Sequence, residues 1–400
     1  MNPVVIVGAS AGGLATAEAL RRMGYEGAIA LVGDETHPPY DRPPLSKQIL
    51  TGEWEPDRLP LRPEEDVRAL DLDLRLGTRA TGLDPVGRTV ALSDGTRLPY
   101  RALVVATGVR PRRLPGTEGV SGVHTLRTLE DALALKARLA PGRRLVIVGA
   151  GFVGAEVAAV ARGLGVDVTV LEAGPVPLAL AVGEQAGRFL TRAHHEHGVD
   201  LRTGAAVAEV LSVRGEVTGV ALADGRTIGA DDVLVAIGSV PNTEWLDGSG
   251  LTVDNGLVCD EFSAAAPGVY GVGDVARWHN PLFGTAMRVE HRTNAAEQGM
   301  AVARDLLNPD ARRPFAPVPY FWSDQYRMKI QAYGSLRDHD QALVLQEDTA
   351  QGRLLVAYRT GDRLTGALGI GIPPRILRAW RGHIATGTAW EAAVSATAAA

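Results

Sequence analysis

One supersecondary motif occurs twice in this chain, and it restricts the fold more than any other feature. Val4 to Val7 is a short β-branched run leading into Gly8-Ala-Ser-Ala-Gly-Gly13, a helical pattern to Arg22 and a second apolar run, Ile29 to Val32. Leu145 to Val148 leads in the same way into Gly149-Ala-Gly-Phe-Val-Gly154, a helical stretch to Gly163 and the run Val168 to Leu171. Each copy reads strand, glycine turn, helix, strand. Consecutive parallel strands need such a crossover, so each copy predicts a doubly wound α/β sheet. At 400 residues the chain exceeds what one hydrophobic core supports, and two or three domains are expected.

Shorter alternating segments lie between and after the copies. Arg88 to Leu92 before Ser93-Asp94-Gly95, and Val217 to Leu222 before Ala223-Asp224-Gly225, predict hairpins with Asp-Gly turns. Buried strands follow each, at Ala102 to Gly108 and Val233 to Gly238, and Pro111 and Pro241 come soon after. The chain is expected to cross between domains near these prolines. From about Phe315 the texture changes to an aromatic cluster (Tyr320, Phe321, Trp322), alternating segments and a final alanine-rich helix. Its last residues, Ala396 to Ala400, are expected to fray.

Charge and cysteine usage exclude several classes of function. Lys and Arg total 41 against 46 Asp and Glu, so no overall cationic field exists to gather nucleic acid or an anionic membrane. No apolar run reaches the roughly 18 residues of a membrane span. The opening MNPVVIVGAS has the pattern of a buried strand, not of a signal peptide, so a cytoplasmic protein is expected. Cys259 is the single cysteine, which excludes an intramolecular disulfide, a CxxC redox pair and a cysteine-ligated zinc or iron–sulfur site. Redox chemistry must therefore use a bound cofactor. Cys259 itself, in the predicted strand Leu257-Val-Cys-Asp260, reads as a small buried apolar residue. His194, His195 and His197 end a helical pattern before Gly198, where histidine suits the dipole and solvent, and no metal site is expected there.

The two glycine turns carry the chemistry. A strand-to-helix turn binds pyrophosphate only if its backbone approaches closely, with the helix's free N–H groups and positive dipole end facing the anion. An acid at the end of the second strand then accepts hydrogen bonds from the adenosine ribose. Asp34 or Glu35 occupies that place in the first copy and Glu172 in the second. Two copies in the required context predict two dinucleotides. The first departs from the pattern, with Ser10 at the second glycine position; serine is small and able to donate to phosphate. Glu172 would repel a 2′-phosphate, and no arginine follows in Ala173-Gly174-Pro175, so the second site favours NADH over NADPH.

With the cradles, Pro38-Pro-Tyr-Asp-Arg-Pro-Pro-Leu-Ser-Lys47, Ala106-Thr-Gly108, Gly271-Val-Gly-Asp274, Thr293-Asn-Ala295 and Phe321-Trp-Ser-Asp-Gln325 in view, the chain resembles FAD-dependent, NADH-oxidising ferredoxin reductases of the putidaredoxin reductase type, in the glutathione-reductase-like flavoprotein superfamily. The resemblance covers essentially the whole chain. It implies two Rossmann-like dinucleotide-binding domains, one inserted in the other, and a C-terminal α+β domain. Residues 1–110 and 240–314 would bind FAD, 111–239 NADH, and 315–400 would form the C-terminal domain.

The same resemblance implies site residues. For FAD these are Gly8, Ser10, Ala11, Gly12, Gly13, Asp34, Glu35, Arg42, Lys47, Ala80, Ala106, Thr107, Gly108, Arg127, Gly273, Asp274, Glu290, His291, Arg292 and Trp322. Asp274 would bind a ribityl hydroxyl and Trp322 would line the flavin pocket. For NADH they are Gly149, Gly151, Phe152, Val153, Gly154, Glu156, Glu172, Ile237 and Gly238. Lys47, near the flavin ring, and Glu156, close to the nicotinamide, would be the catalytic pair. Arg292 departs from the tryptophan that many relatives carry there. No nucleophile and no metal is implied.

The implied partners are a small iron–sulfur ferredoxin and, beyond it, a haem-thiolate monooxygenase or a Rieske oxygenase, with neither nucleic acid nor membrane. A flavin suits that role because it takes a hydride and releases electrons singly. The helical pattern Asn294 to Arg304 would aim its positive end at the flavin. Candidate docking clusters are Arg110, Arg112 and Arg113; Arg312 and Arg313; and Arg375, Arg378 and Arg381, although most such clusters are only solvated surface. The rivals are a rubredoxin or monodehydroascorbate-type reductase, and an NADH-responsive signalling flavoprotein resembling apoptosis-inducing factor.

Overall fold

Both copies of the motif form as their periodicity predicts. The strand Val4–Val7 is buried along its whole length, as is Leu145 to Val148 within the strand Arg144–Val148. Each feeds a twelve-residue helix, Ala11–Arg22 and Phe152–Gly163 respectively. The structure is a computed structural model that describes residues 2–398. Of the tail expected to fray, Ala399 and Ala400 lie outside the described residues, and the helix Trp390–Ala398 takes in the rest. No described helix is long and apolar enough to cross a membrane.

The chain divides into two compact units. The first comprises residues 1–41, 59–110 and 240–319. Its six-stranded sheet runs in the order Ala264–Ala266, Val269–Gly271, Ala102–Val105, Val4–Val7, Ile29–Val32, Asp73–Arg75. All neighbours are parallel except the outermost Ala264–Ala266 with Val269–Gly271. On one face the helices Ala11–Arg22 and Arg292–Leu307 pack closely, because Gly299 leaves no side chain between them; a Cβ there would stand 2.8 Å from Gly12 O. On the other face lies a core that includes Tyr100, Trp245, Trp278 and Phe315. The Asp94-Gly95 hairpin forms between Thr89–Leu92 and Arg97–Pro99.

The second unit comprises residues 42–58, 111–239 and 320–400. Its five-stranded sheet is parallel throughout, ordered Asp200–Thr203, Asp167–Glu172, Arg144–Val148, Asp232–Val235, Val123–His124. At the amino ends of these strands Asp232 binds Arg138, Arg143 and His124. Burial would raise its carboxyl pKa, but hydrogen bonds from those three side chains hold it below the ordinary value. The Asp224-Gly225 hairpin joins Glu216–Leu222 to Thr227–Gly229. A second, antiparallel sheet runs Tyr320–Gln325, Met328–Gly334, Arg363–Ile370, Arg353–Thr360, Gln341–Asp348.

The boundaries differ from the sequence expectation in two places, each for a packing reason. Residues 42–58 group with the second unit, where Lys47 pairs with Glu156 and the short helix Gln48–Thr51 contacts the helix Leu129–Lys136. Phe315 stays in the first unit, its ring beside Trp278 and its carbonyl accepting from Trp278 Nε1 at 3.0 Å. The C-terminal sheet shares a core with Leu178, Val182, Phe189 and Leu190 around the helix Ala179–Glu196. That shared burial keeps residues 111–239 and 320–400 in one unit.

Candidate functional site

In the first unit the turn after Val4–Val7 is built by glycine where nothing else fits. Gly8 has φ +122°, and a Cβ on it would stand 2.0 Å from Ala106 O. A Cβ on Gly13 would stand 2.0 Å from Gly8 O, so this glycine lets the helix close onto the strand. Ser10 occupies the N-cap in an extended conformation and makes no capping bond with its side chain. No acid lies in the first helical turn, so no side-chain charge opposes the helix dipole there.

At the end of Ile29–Val32 the two candidate acids separate. Asp34 is exposed, whereas Glu35 is half-buried and accepts from Tyr40 Oη at 2.5 Å, which singles out Glu35 as the oriented carboxylate. Ala80 is buried. Thr107 donates to Asn242 O at 2.8 Å and accepts at its carbonyl from Asn242 Nδ2, fixing the segment Ala106 to Gly108. Gly273 donates its N–H to Gln298 Oε1 and places the half-buried Asp274 in a short 3-10 turn. Arg288 binds both Asp274 O and the Glu290 carboxylate. His291 occupies the N-cap position of the helix Arg292–Leu307 without a side-chain capping bond, and Arg292 pairs with Asp41 at 2.6 Å.

The second unit repeats the cradle with one instructive difference. Gly149 (φ +99°) and Gly154 are required by packing, since added Cβ atoms would stand 2.5 Å from Ala236 O and 2.1 Å from Gly149 O. Gly151 is not: its φ is −72°, and a Cβ would meet only Ala236 O at 3.9 Å. Nothing in the protein demands glycine there, and the space beside it is open. The same position in the first cradle is Ser10, which explains why a small side chain is accommodated. Glu172 is held at both oxygens, by Ala150 N at 2.8 Å and Gly174 N at 2.7 Å. Phe152 packs edge-on to Phe321, Val153 is partly exposed, and Ile237 and Gly238 follow the strand Asp232–Val235.

One helical turn beyond this cradle lies a buried ionic pair. Lys47 Nζ stands 2.6 Å from Glu156 Oε2, with side-chain exposures of 12% and 6%. Ser46 Oγ donates to the same oxygen at 2.5 Å, and Ser323 Oγ donates to Oε1 at 2.7 Å. Lys47 also donates to Pro43 O at 3.1 Å. Arg42 donates to Arg127 O at 2.7 Å, bringing those two candidates together. Trp322 is half-buried and stacks on Tyr320. Ser46, Ser323, Asp41 and Tyr40 were not singled out from sequence; each lies inside or beside a quoted motif, but a lone serine or aspartate gives no signal without its partner.

One expectation outside the cradles is corrected. His194 is buried, not solvated, because it packs against Tyr326 at the hairpin of the C-terminal sheet. Within the candidate docking clusters, Arg110 pairs with Glu244 and Asn242 and Arg312 stacks on Phe262. No group of His, Cys, Asp and Glu among the described residues could hold a metal ion. Burial pushes the His194 pKa down to about 4; Gln325 opposes this while His197 and His195 add to it. Unfolding frees His194 to take a proton near its ordinary value of 6.5. Stability is therefore fully present above that value and falls as pH drops toward 4, by up to about 3 kcal/mol. His194→Phe should flatten this acid limb, narrowing the difference between urea midpoints at about pH 7 and about pH 4.5.

The family model described as pyridine nucleotide-disulphide oxidoreductase matches residues 2–299. The chain belongs to this family. A second model, described as reductase C-terminal, matches residues 320–400. Among curated relatives in the family, the probable ferredoxin reductase CtmF of Castellaniella defragrans is 39% identical, over 90% of this chain and 88% of its own. Putidaredoxin reductase CamA of Pseudomonas putida is also 39% identical, over 90% and 86%. The crystal structure of the covalent putidaredoxin reductase–putidaredoxin complex superposes with a TM-score of 0.92 at 35% identity, covering 100% of this chain and 99% of that one. The resemblance read from the sequence motifs is borne out. This member of the family has no disulfide to reduce with: Cys259 is its only cysteine, and burial pushes that thiol up to about 12.

Proposed function

We propose that this cytoplasmic oxidoreductase holds FAD in the cradle of its first unit and NADH in that of its second. It passes electrons singly to a small iron–sulfur ferredoxin, which serves a haem-thiolate monooxygenase or a Rieske oxygenase. One observation carries the reading: each unit has a glycine cradle ending in an oriented carboxylate, while the only thiol is buried and unreactive. The cradles fit dinucleotides, since the backbone is bare where pyrophosphate approaches and Gly151 has no other reason to be glycine. Bound flavin supplies the conversion of a hydride into single electrons, which no side chain here can do.

The chain's own residues bind and orient. Glu35 and Glu172 receive the two adenosine riboses, and the first turns of Ala11–Arg22 and Phe152–Gly163 receive the pyrophosphates. Asp274, Thr107, Arg42 and Arg127 are assigned to FAD on motif position. Lys47 and Glu156 are assigned to the reacting end of NADH, because Glu156 stands on the same helix as the NADH cradle. Neither acts as a nucleophile.

Glu172 sets the nucleotide preference. Its carboxylate is held by two backbone N–H groups, so it cannot swing away from a 2′-phosphate. Glu172→Ala should lower kcat/KM for NADH about tenfold and raise relative use of NADPH, as expected for losing a charged hydrogen bond. Steady-state kinetics with both nucleotides check this. The function itself is tested by anaerobic mixing with NADH, which should bleach a yellow chromophore, followed by cytochrome c reduction with a panel of ferredoxins and rubredoxins. A strong ferredoxin requirement supports the reading; protein that holds no flavin after reconstitution overturns it.

A further inference from the structure

A polar chain runs through the interior of the second unit behind Glu156, and its direction follows from what each atom can donate. Glu156 Oε1 accepts from Ser323 Oγ at 2.7 Å, within the strand Tyr320–Gln325. A serine hydroxyl carries one hydrogen, so Ser323 must accept whatever it meets next. Gln325 Nε2 supplies that donor at 3.4 Å. Both residues are wholly buried.

Gln325 Oε1 and His194 Nε2 are then two buried atoms without a close partner, and Gln325 is the side chain whose hydrogen bonding acts on the imidazole. Leaving both unmet is costly, and one bond between them satisfies both. That bond places the imidazole hydrogen on Nε2. Nδ1 must then accept, and Tyr326 Oη stands 2.7 Å from it.

We propose that Tyr326, His194, Gln325 and Ser323 form one hydrogen-bonded chain with every donor directed toward Glu156, and that Ser323 is thereby a positioning residue for the Lys47–Glu156 pair. The imidazole hydrogen prevents the Gln325 amide from turning over, because a turned amide would set N–H against N–H. With Gln325 fixed, the Ser323 hydroxyl has no choice but the carboxylate. Glu156 is then held at both oxygens, Oε1 by Ser323 and Oε2 by Lys47 and Ser46, and keeps the ammonium in one place. Around His194 the titratable neighbours are His195 and His197 on its own helix and Tyr326 on the hairpin. His197 stacks on that same tyrosine, and Arg162, on the helix Phe152–Gly163, acts on it electrostatically. His194 is neutral at ordinary pH, so the chain keeps its direction across the working range.

The chain of donors rests on the observed bonds at its two ends and on the two unmet atoms between them; its kinetic consequence rests on the role proposed for Lys47 and Glu156. In holoenzyme labelled with 15N-histidine, His194 should appear as the neutral Nε2–H form between about pH 6 and pH 8. Glu156→Gln should move its resonances, and the same substitution in a Ser323→Ala background should not. A charged or Nδ1–H imidazole, or one indifferent to Glu156→Gln, overturns the proposal. Tyr326→Phe breaks the far end and is read by the same spectra should Ser323→Ala fail to fold. In stopped-flow mixing with NADH, Ser323→Ala should slow reduction about tenfold and alter its pH profile with NADH affinity retained. Ser323→Thr, which keeps a hydroxyl, should restore the rate. Coupled spectra with unchanged reduction would support the chain and refute the role given to the ionic pair.

Discussion

Gly13→Ala is expected to yield a protein without bound flavin. The added Cβ would stand 2.0 Å from Gly8 O and 3.2 Å from Ile6 Cγ2. The first of these is main chain in a turn already at φ +122°, so relief requires the helix Ala11–Arg22 to lift off its strand. Overpacking of this kind costs about 3 kcal/mol, which lowers the melting temperature by about 6–12 °C. The larger effect is on binding, because lifting the helix withdraws the N–H groups that face the pyrophosphate. Visible absorbance per protein measures it. Gly151→Ala is the informative contrast. Its Cβ meets nothing closer than 3.9 Å, so stability should stay within about 0.5 kcal/mol of wild type. NADH binding should still weaken about tenfold, since the methyl takes space beside the ligand and, unlike the hydroxyl of Ser10 at the same position of the first cradle, donates nothing to the pyrophosphate in return. Normal NADH affinity in Gly151→Ala would refute the second cradle.

Breaking the Lys47–Glu156 pair should have the second large effect. Both groups are almost entirely withdrawn from water, so removing either partner leaves the other a buried charge, at a cost of about 3–5 kcal/mol. Glu156→Gln and Lys47→Met should each destabilise by that order. The double variant should be more stable than the sum predicts by about 2 kcal/mol, because no orphan charge remains. Added salt should change none of these differences much, unlike those of a surface pair. Reduction by NADH should slow about a hundredfold in each single variant and not recover in the double. Additive stabilities would show that the two charges do not depend on each other.

The sequence revealed what is local and periodic. Val4–Val7 and Arg144–Val148 declare themselves by β-branched runs, their turns by glycine, and the two hairpins by Asp-Gly. Cys259 could be read as buried because its neighbours alternate. The groups that complete the sites come from far along the chain, and no spacing rule connects them. Lys47 and Glu156 meet across two segments, and Ser323 reaches the same carboxylate from a third. Residues 42–58 carry three prolines and no clean period, so only the tertiary pair shows where they belong. The burial of His194 is not legible locally, because the end of a helix is ordinarily wet; a tyrosine 132 positions later covers it. Arg292, an oddity in sequence, finds its counter-charge in Asp41.

The first unit is drawn from three separated stretches of chain, the last ending at residue 319. On the ribosome, Val4–Val7, Ile29–Val32 and Ala102–Val105 emerge early, yet the strand that covers Ala102–Val105, Val269–Gly271, is still untranslated. At roughly 5–20 residues per second, that edge stays open for on the order of ten seconds. An uncovered parallel edge invites pairing with other nascent chains. Overproduction should therefore favour inclusion bodies, and slowed synthesis or a holdase chaperone should recover yellow, correctly assembled protein.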